Sequence, residues 1–149
     1  MTTPEDDLES FIVRYTPDVA ACARSALARM AALYPQAFRL VYDTYNALAV
    51  GFSPGEKTSN GIFSIAVYPR WVSLFFLQGA GLPDPDGLLK GQGSTVRHIV
   101  LADAEDLDRP DIRAMMDRAV ASAKVPFSDA GEGRLIIKSV SVKQRPRRP

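Results

Sequence analysis

Between Phe38 and Leu101 the chain strings together five apolar, β-rich runs joined by short links, with helical patterns on either side. Short links favour antiparallel neighbours, and helices at both chain ends favour a single helical layer. The order predicts an α+β fold of two layers. Its sheet is mainly antiparallel, of about five strands, with N-terminal helices and a C-terminal helix packed on it and a terminal strand added.

Thr3-Pro4-Glu5-Asp6 and Thr16-Pro17-Asp18 each read as a helix start: a hydroxyl N-cap, proline at the first helical position, then acids facing the helix dipole. The second helix carries Val19, Ala23, Ala26, Leu27, Met30, Leu33 and Tyr34 on one face, and Pro35 stops it. Phe38, Leu40 and Tyr42 alternate with Arg39, Val41 and Asp43, the period of a strand. Further strands follow over 46–52, 62–68, 71–78 and 95–101. The run 71–78 is apolar on both faces and is expected at the centre of the sheet. Ser53 to Gly61 and Gly79 to Gly87 are long loops. Asp108-Arg109-Pro110 opens a helix with Ile112, Met115, Met116, Ala119, Val120 and Ala123 on one side, and Pro126 ends it. Gly131 and Gly133 then release the chain into a strand over 135–142. The final Lys143-Gln144-Arg145-Pro146-Arg147-Arg148-Pro149, mostly charge and proline, is expected to fray. One domain over 1–130 is expected, followed by a strand and basic tail over 131–149.

A formal net charge of +1 gives the molecule no field with which to recruit nucleic acid, and the apolar run from Trp71 to Leu77 is too short to span a membrane. The N-terminus is acidic and lacks the pattern of a secretory signal, so a cytoplasmic location is expected. The single cysteine, Cys22, excludes a disulfide framework and a thiolate cluster. In its Ala-rich helix it reads as a buried, inert thiol. The only histidine, His98, excludes a multi-histidine metal site, and no Gly-x-Ser-x-Gly elbow surrounds a serine. No catalytic residue, cofactor or metal site is assigned, and an enzyme is not expected.

Lys90-Gly91-Gln92-Gly93-Ser94-Thr95 has the chemistry of an oxyanion loop. However, its lysine precedes the glycines and the segment opens a strand, unlike a P-loop. It reads first as a glycine turn feeding a strand. Arg97 and His98 occupy adjacent strand positions and point to opposite faces. Tyr42, Tyr45 and Trp71 are aromatics whose polar handles suit the rim of a cleft.

The run Val41-Tyr42-Asp43-Thr44-Tyr45-Asn46-Ala47, the strands around Trp71, and Lys90-Gly91-Gln92-Gly93-Ser94-Thr95-Val96-Arg97 resemble the YdhG-like family of unknown function, over roughly residues 8–126. The ending 133–148 resembles the tail of a subgroup of that family. The resemblance implies a small α+β domain with an antiparallel sheet and flanking helices. Some members of the family are linked to frataxin-like iron handling, which here would fall to carboxylates such as Glu5, Asp6, Asp7 and Glu9.

The expected function is that of a binding or accessory domain recognising a small anionic ligand or a protein segment beside the sheet. Its expected ligand-binding residues are Tyr42, Tyr45, Trp71, Lys90 and Arg97, and an iron-binding module is the alternative. The terminal strand needs a partner, because an uncovered edge strand is a liability. Exchange between copies is preferred over pairing within the chain, which predicts a homodimer with the basic end projecting.

Overall fold

A computed structural model describes residues 1–128 and 132–149, so Gly131 lies outside the described residues. Three helices, α1 (Pro4–Ile12), α2 (Pro17–Leu33) and α3 (Pro110–Ser122), flank a six-stranded sheet. The strands are β1 (Phe38–Asp43), β2 (Leu48–Ser53), β3 (Phe63–Val67), β4 (Val72–Phe76), β5 (Arg97–Leu101) and β6 (Leu135–Val140), in the spatial order β5-β4-β3-β2-β1-β6. The first five form an antiparallel meander, and β6 joins parallel to β1. The α+β class, the helices at both ends and the terminal strand are as the sequence predicts, but the sheet is mixed. The run expected at the centre is β4, an interior strand one place in from the β5 edge.

Both N-terminal helices begin where the Thr-Pro pairs place them. Thr3 and Asp6 form a reciprocal capping box on α1, while Thr16 precedes Pro17 without a side-chain hydrogen bond. Ala20, Ala23, Ala26 and Met30 of α2 are buried in one cluster with Val50, Ile65 and Leu74 of the sheet and with Ile112, Met115 and Met116 of α3. Small side chains at the first three of those positions let α2 lie close to the strands. The opposite sheet face carries no helix. There Tyr42, Ala49, Ala66, Ser73 and Val100 follow one another across the strands by register.

Strand directions give the sheet two ends. At one lie Asp43, Leu48, Val67, Val72, Leu101 and Val140; at the other, Phe38, Ser53, Phe63, Phe76, Arg97 and Leu135. After β5 the chain makes a 3-10 turn (Ala104–Asp108) at the first end, and α3 leads it back towards the second, where β6 starts. Leu135 of β6 is buried beside the core. The terminal strand pairs with β1 of its own chain and covers that edge of the sheet. Leu135–Val140 thus belongs to the same sheet as β1 to β5, and Leu135 to the same core.

The largest correction concerns the basic tail, which does not fray. Ser141 N–H donates to Asp43 O at 2.8 Å, Gln144 Nε2 to the same carbonyl at 3.0 Å, and Arg145 N–H to Tyr45 O at 2.9 Å. Arg147 is only 3% exposed. Its guanidinium donates to Asp43 Oδ1 at 2.9 Å and to Thr44 O at 2.6 Å. Beside it, the Tyr15 hydroxyl donates to Val67 O at 2.8 Å and accepts from Leu48 N–H at 3.2 Å. Burial, foremost, pushes the Tyr15 phenol above its ordinary pKa, which keeps the donating proton in place. Composition predicted fraying because charge and proline cannot build a core. It is overruled because one of those charges has a buried partner.

Removing one member of a buried ion pair leaves the other uncompensated, at a cost of about 3–5 kcal/mol. Arg147→Ala is expected to lose about that much in urea unfolding. The pair Asp43→Asn with Arg147→Met is expected to lose less than the single change, because no buried charge is orphaned. An Arg147→Ala chain as stable as the parent would contradict the role given to the tail.

Candidate functional site

At the sheet end opposite the tail, three connections that are far apart in sequence converge. The β2–β3 link makes a 3-10 turn (Thr58–Asn60) and re-enters the sheet through Ile62, whose N–H donates to Phe52 O at 3.0 Å. The β4–β5 link makes a second such turn (Gly79–Gly81), in which Ala80 N–H donates to Thr95 O at 2.9 Å. The third wall is the end of α3 and the residues just beyond it. Between them lies a cleft of about 520 Å3, a volume typical of small-ligand sites.

Ile62, Phe76, Leu82 and Ala119 supply its apolar surface, and Asn60, Gln78, Ser94, Thr95 and Ser122 its neutral polar groups. Among the described residues, Lys124 is the sole charged one lining it. Gly79 allows this arrangement. A Cβ there would lie 2.7 Å from the Arg97 Cβ and 3.0 Å from the Phe76 Cβ, so only glycine lets the turn sit against β5. Arg97 ties the far side of the loop by donating from one guanidinium nitrogen to the carbonyls of Gly93 and, at 2.8 Å, Val96. Asp84 accepts from the N–H groups of Leu88 and Leu89, both at 2.9 Å, which makes it a turn-forming carboxylate.

The five residues expected to bind ligand do not come together. Tyr42 lies on the helix-free face, its hydroxyl 2.6 Å from the Thr58 hydroxyl. Trp71 immediately precedes β4, at the opposite end of the sheet from the cleft, and stacks on Tyr68, ring centroids 5.0 Å apart. Tyr45 sits in the β1–β2 turn beneath the Arg145 guanidinium, 5.4 Å from its ring centre. Lys90 pairs by backbone with His98, and its ammonium reaches Gly87 O at 3.3 Å. Arg97 supports the cleft without lining it. The Lys-Gly-x-Gly-Ser-Thr motif is therefore divided: Ser94 and Thr95 face the cleft, and Lys90 serves the β5 edge. His98 stacks on Phe75 at 5.2 Å and points away from Arg97's face, as adjacent strand positions require.

Asn60, Gln78, Ser122 and Lys124 were not legible as site residues. The available signals were two glycine-bounded loops and a lysine just past a helix end, and neither shows that the segments meet. Three of the four N-terminal acids are engaged singly: Asp6 in the cap, Asp7 by the Thr2 hydroxyl at 2.6 Å, and Glu9 by Arg24 Nε at 2.8 Å. Among the described residues, no group of three or more His, Cys, Asp or Glu is placed to hold a metal ion. Cys22 is half-buried, and burial, with smaller effects from Asp103 and Asp106, pushes its thiol up and away from the reactive thiolate. Among the described residues no helix is long and apolar enough to cross a membrane.

No protein-family model matches the chain, and no curated protein or solved structure proved similar to it. The YdhG-like resemblance therefore rests on the quoted motifs alone.

Overfilling a tight site costs roughly 1–3 kcal/mol. Gly79→Ala is expected to fall in that range and to displace the cleft wall at Ala80. Gly81→Ala, with nothing within 4 Å of its added Cβ, is expected to stay within about 0.5 kcal/mol of the parent. Urea unfolding of both variants checks this, and equal effects would contradict the account of the wall.

Proposed function

We propose that the chain is a small-ligand-binding accessory domain acting through the cleft between the Thr58–Asn60 turn, the Gly79–Gly81 turn and the end of α3. One observation carries this reading. The cavity of about 520 Å3 combines an apolar floor with convergent neutral polar groups and, among the described residues lining it, a single cation and no acid. A matched ligand is an amphipathic small molecule with one anionic group. Its anion meets Lys124, its polar edge lies along Ser94, Thr95 and Gln78, and its apolar part rests on Ile62 and Phe76. Each contact is non-covalent, and the proposal includes no catalytic step.

The proposal keeps the anionic ligand expected from the sequence but moves the site. Tyr42, Tyr45, Trp71 and Lys90 lie outside it, and Arg97 acts as its support. A cytoplasmic location is part of the same proposal. A homodimer made by exchanging β6 would only move its pairing with β1 and the contact of Arg147 with Asp43 from within the chain to between copies, and the single chain already makes both. We therefore propose a chain that works with β6 in its own sheet.

The test is a titration of the isotopically labelled chain with benzoate and, separately, inorganic phosphate, followed by amide chemical shifts. Saturable shifts are expected at Asn60, Gln78, Ser94, Thr95 and Lys124 with benzoate, whose ring uses the apolar floor. Lys124→Glu, an exposed substitution, is expected to weaken binding at least tenfold. Trp71 fluorescence should stay unchanged, because that ring lies away from the cleft. Shifts centred on Tyr42 and Trp71, or undiminished affinity in Lys124→Glu, would overturn the proposal.

A further inference from the structure

At the other end of the sheet the Arg147 guanidinium occupies a pocket made almost wholly by residues distant from it in sequence. Asp43, 1% exposed, presents Oδ1 at 2.9 Å. Thr44 O lies at 2.6 Å and Tyr45 O at 3.4 Å, while the Tyr15 ring closes one side with its centre 5.9 Å from the guanidinium carbon. A carboxylate and two carbonyls aimed at one point suit a planar, forked donor better than a compact ammonium.

The pocket is held by bonds in which Arg147 takes no part. The β1–β2 turn is held by Thr44 N–H donating to Ala47 O at 2.9 Å, by the Thr44 hydroxyl donating to the same carbonyl at 2.8 Å, and by Ala47 N–H donating to Thr44 Oγ1 at 3.2 Å. Tyr15 is fixed by Val67 and Leu48. None of these bonds involves Arg147, and the rest of the tail adds to them through Ser141 N–H and Gln144 Nε2 to Asp43 O and Arg145 N–H to Tyr45 O, so the acceptors are expected to keep their positions when the Arg147 side chain is absent. An empty pocket would bury a carboxylate with little compensation. Arg14, whose side chain is 44% exposed, reaches only Asp43 Oδ2, at 3.5 Å, and that oxygen has no hydrogen bond.

We infer that the Asp43–Thr44–Tyr45–Tyr15 pocket is a preformed receptor for a guanidinium group, filled in this chain by its own C-terminal arginine. The class of ligand is an arginine side chain on an extended, proline-containing segment. The tail shows how such a segment is read. Arg147 enters, Arg145 covers the Tyr45 ring, and Arg148 Nε donates to Arg14 O at 3.1 Å. Pro146 between the first two limits the segment to extended conformations.

The test empties the receptor and refills it from solution. Arg147→Ala, titrated with ethylguanidinium chloride, is expected to gain several degrees in melting temperature saturably, with amide shifts at Tyr45 and Leu48. Ethylammonium chloride at equal concentration should give no such gain, and neither salt should stabilise the parent, whose pocket is filled. Equal responses to the two cations, or the same gain in the parent, would overturn the inference. Should Arg147→Ala prove unfolded, recovery of its native circular dichroism with ethylguanidinium alone supports the receptor, and no recovery overturns it. Mixing the Arg147→Ala and Asp43→Asn chains then identifies the source. A heterodimer in light scattering shows that a second copy can donate the arginine, and a monomeric mixture assigns the site to the chain's own tail.

Discussion

The architecture turns on a carboxylate buried at the end of β1. Asp43 falls on the inward side of its strand, where the alternation would otherwise supply an apolar residue, and it is 1% exposed. A charge in that position is unfavourable unless it is paired and hydrogen-bonded. The partner comes from more than a hundred residues away, since Arg147 arrives only after β6 has paired along β1 and the tail has turned across the sheet end. The tail also meets the α1–α2 connection, where Arg14 donates to Gln144 Oε1 at 2.6 Å. The Asp43 carboxylate thus joins the α1–α2 connection, the β1–β2 turn and the C-terminus.

The two ends of the sheet are used differently. The end that holds Asp43 is closed by the tail and by the Tyr68–Trp71 stack. The end that holds Phe76 and Arg97 is bounded by loops that leave a cleft, with α3 ending at its rim. A rigid sheet presenting a loop-built site at one end is the usual division between scaffold and function. Arg97 and Gly79 mark the boundary between the two, because they fix the loops to β5 without entering the cavity.

Much of the fold could be read from residue order. The Thr-Pro pairs announced α1 and α2, the alternation over Phe38–Asp43 and the apolar runs after it gave β1 to β5, and the glycine-rich segment before Arg97 did feed a strand. The tail could not be read that way. Arg147 looks like any solvated arginine until Asp43 is known to be buried, and Asp43 looks like the polar end of a strand. The cleft was hidden for a related reason, since Asn60, Gln78 and Lys124 are unremarkable in their own segments and meet only through the return of α3. Tyr42, Tyr45 and Trp71 were chosen by residue type, and type alone does not tell which side or end of a sheet an aromatic occupies.

Amide hydrogen exchange in the native protein addresses the central claim, that the C-terminal tail is an integral part of the sheet end. Ser141 and Arg145 donate to Asp43 O and Tyr45 O in the structure. Their amides are expected to be protected to a degree comparable with those of β1 and β2, opening only with that end of the sheet. Exchange of both at the rate of an unstructured peptide would contradict the account.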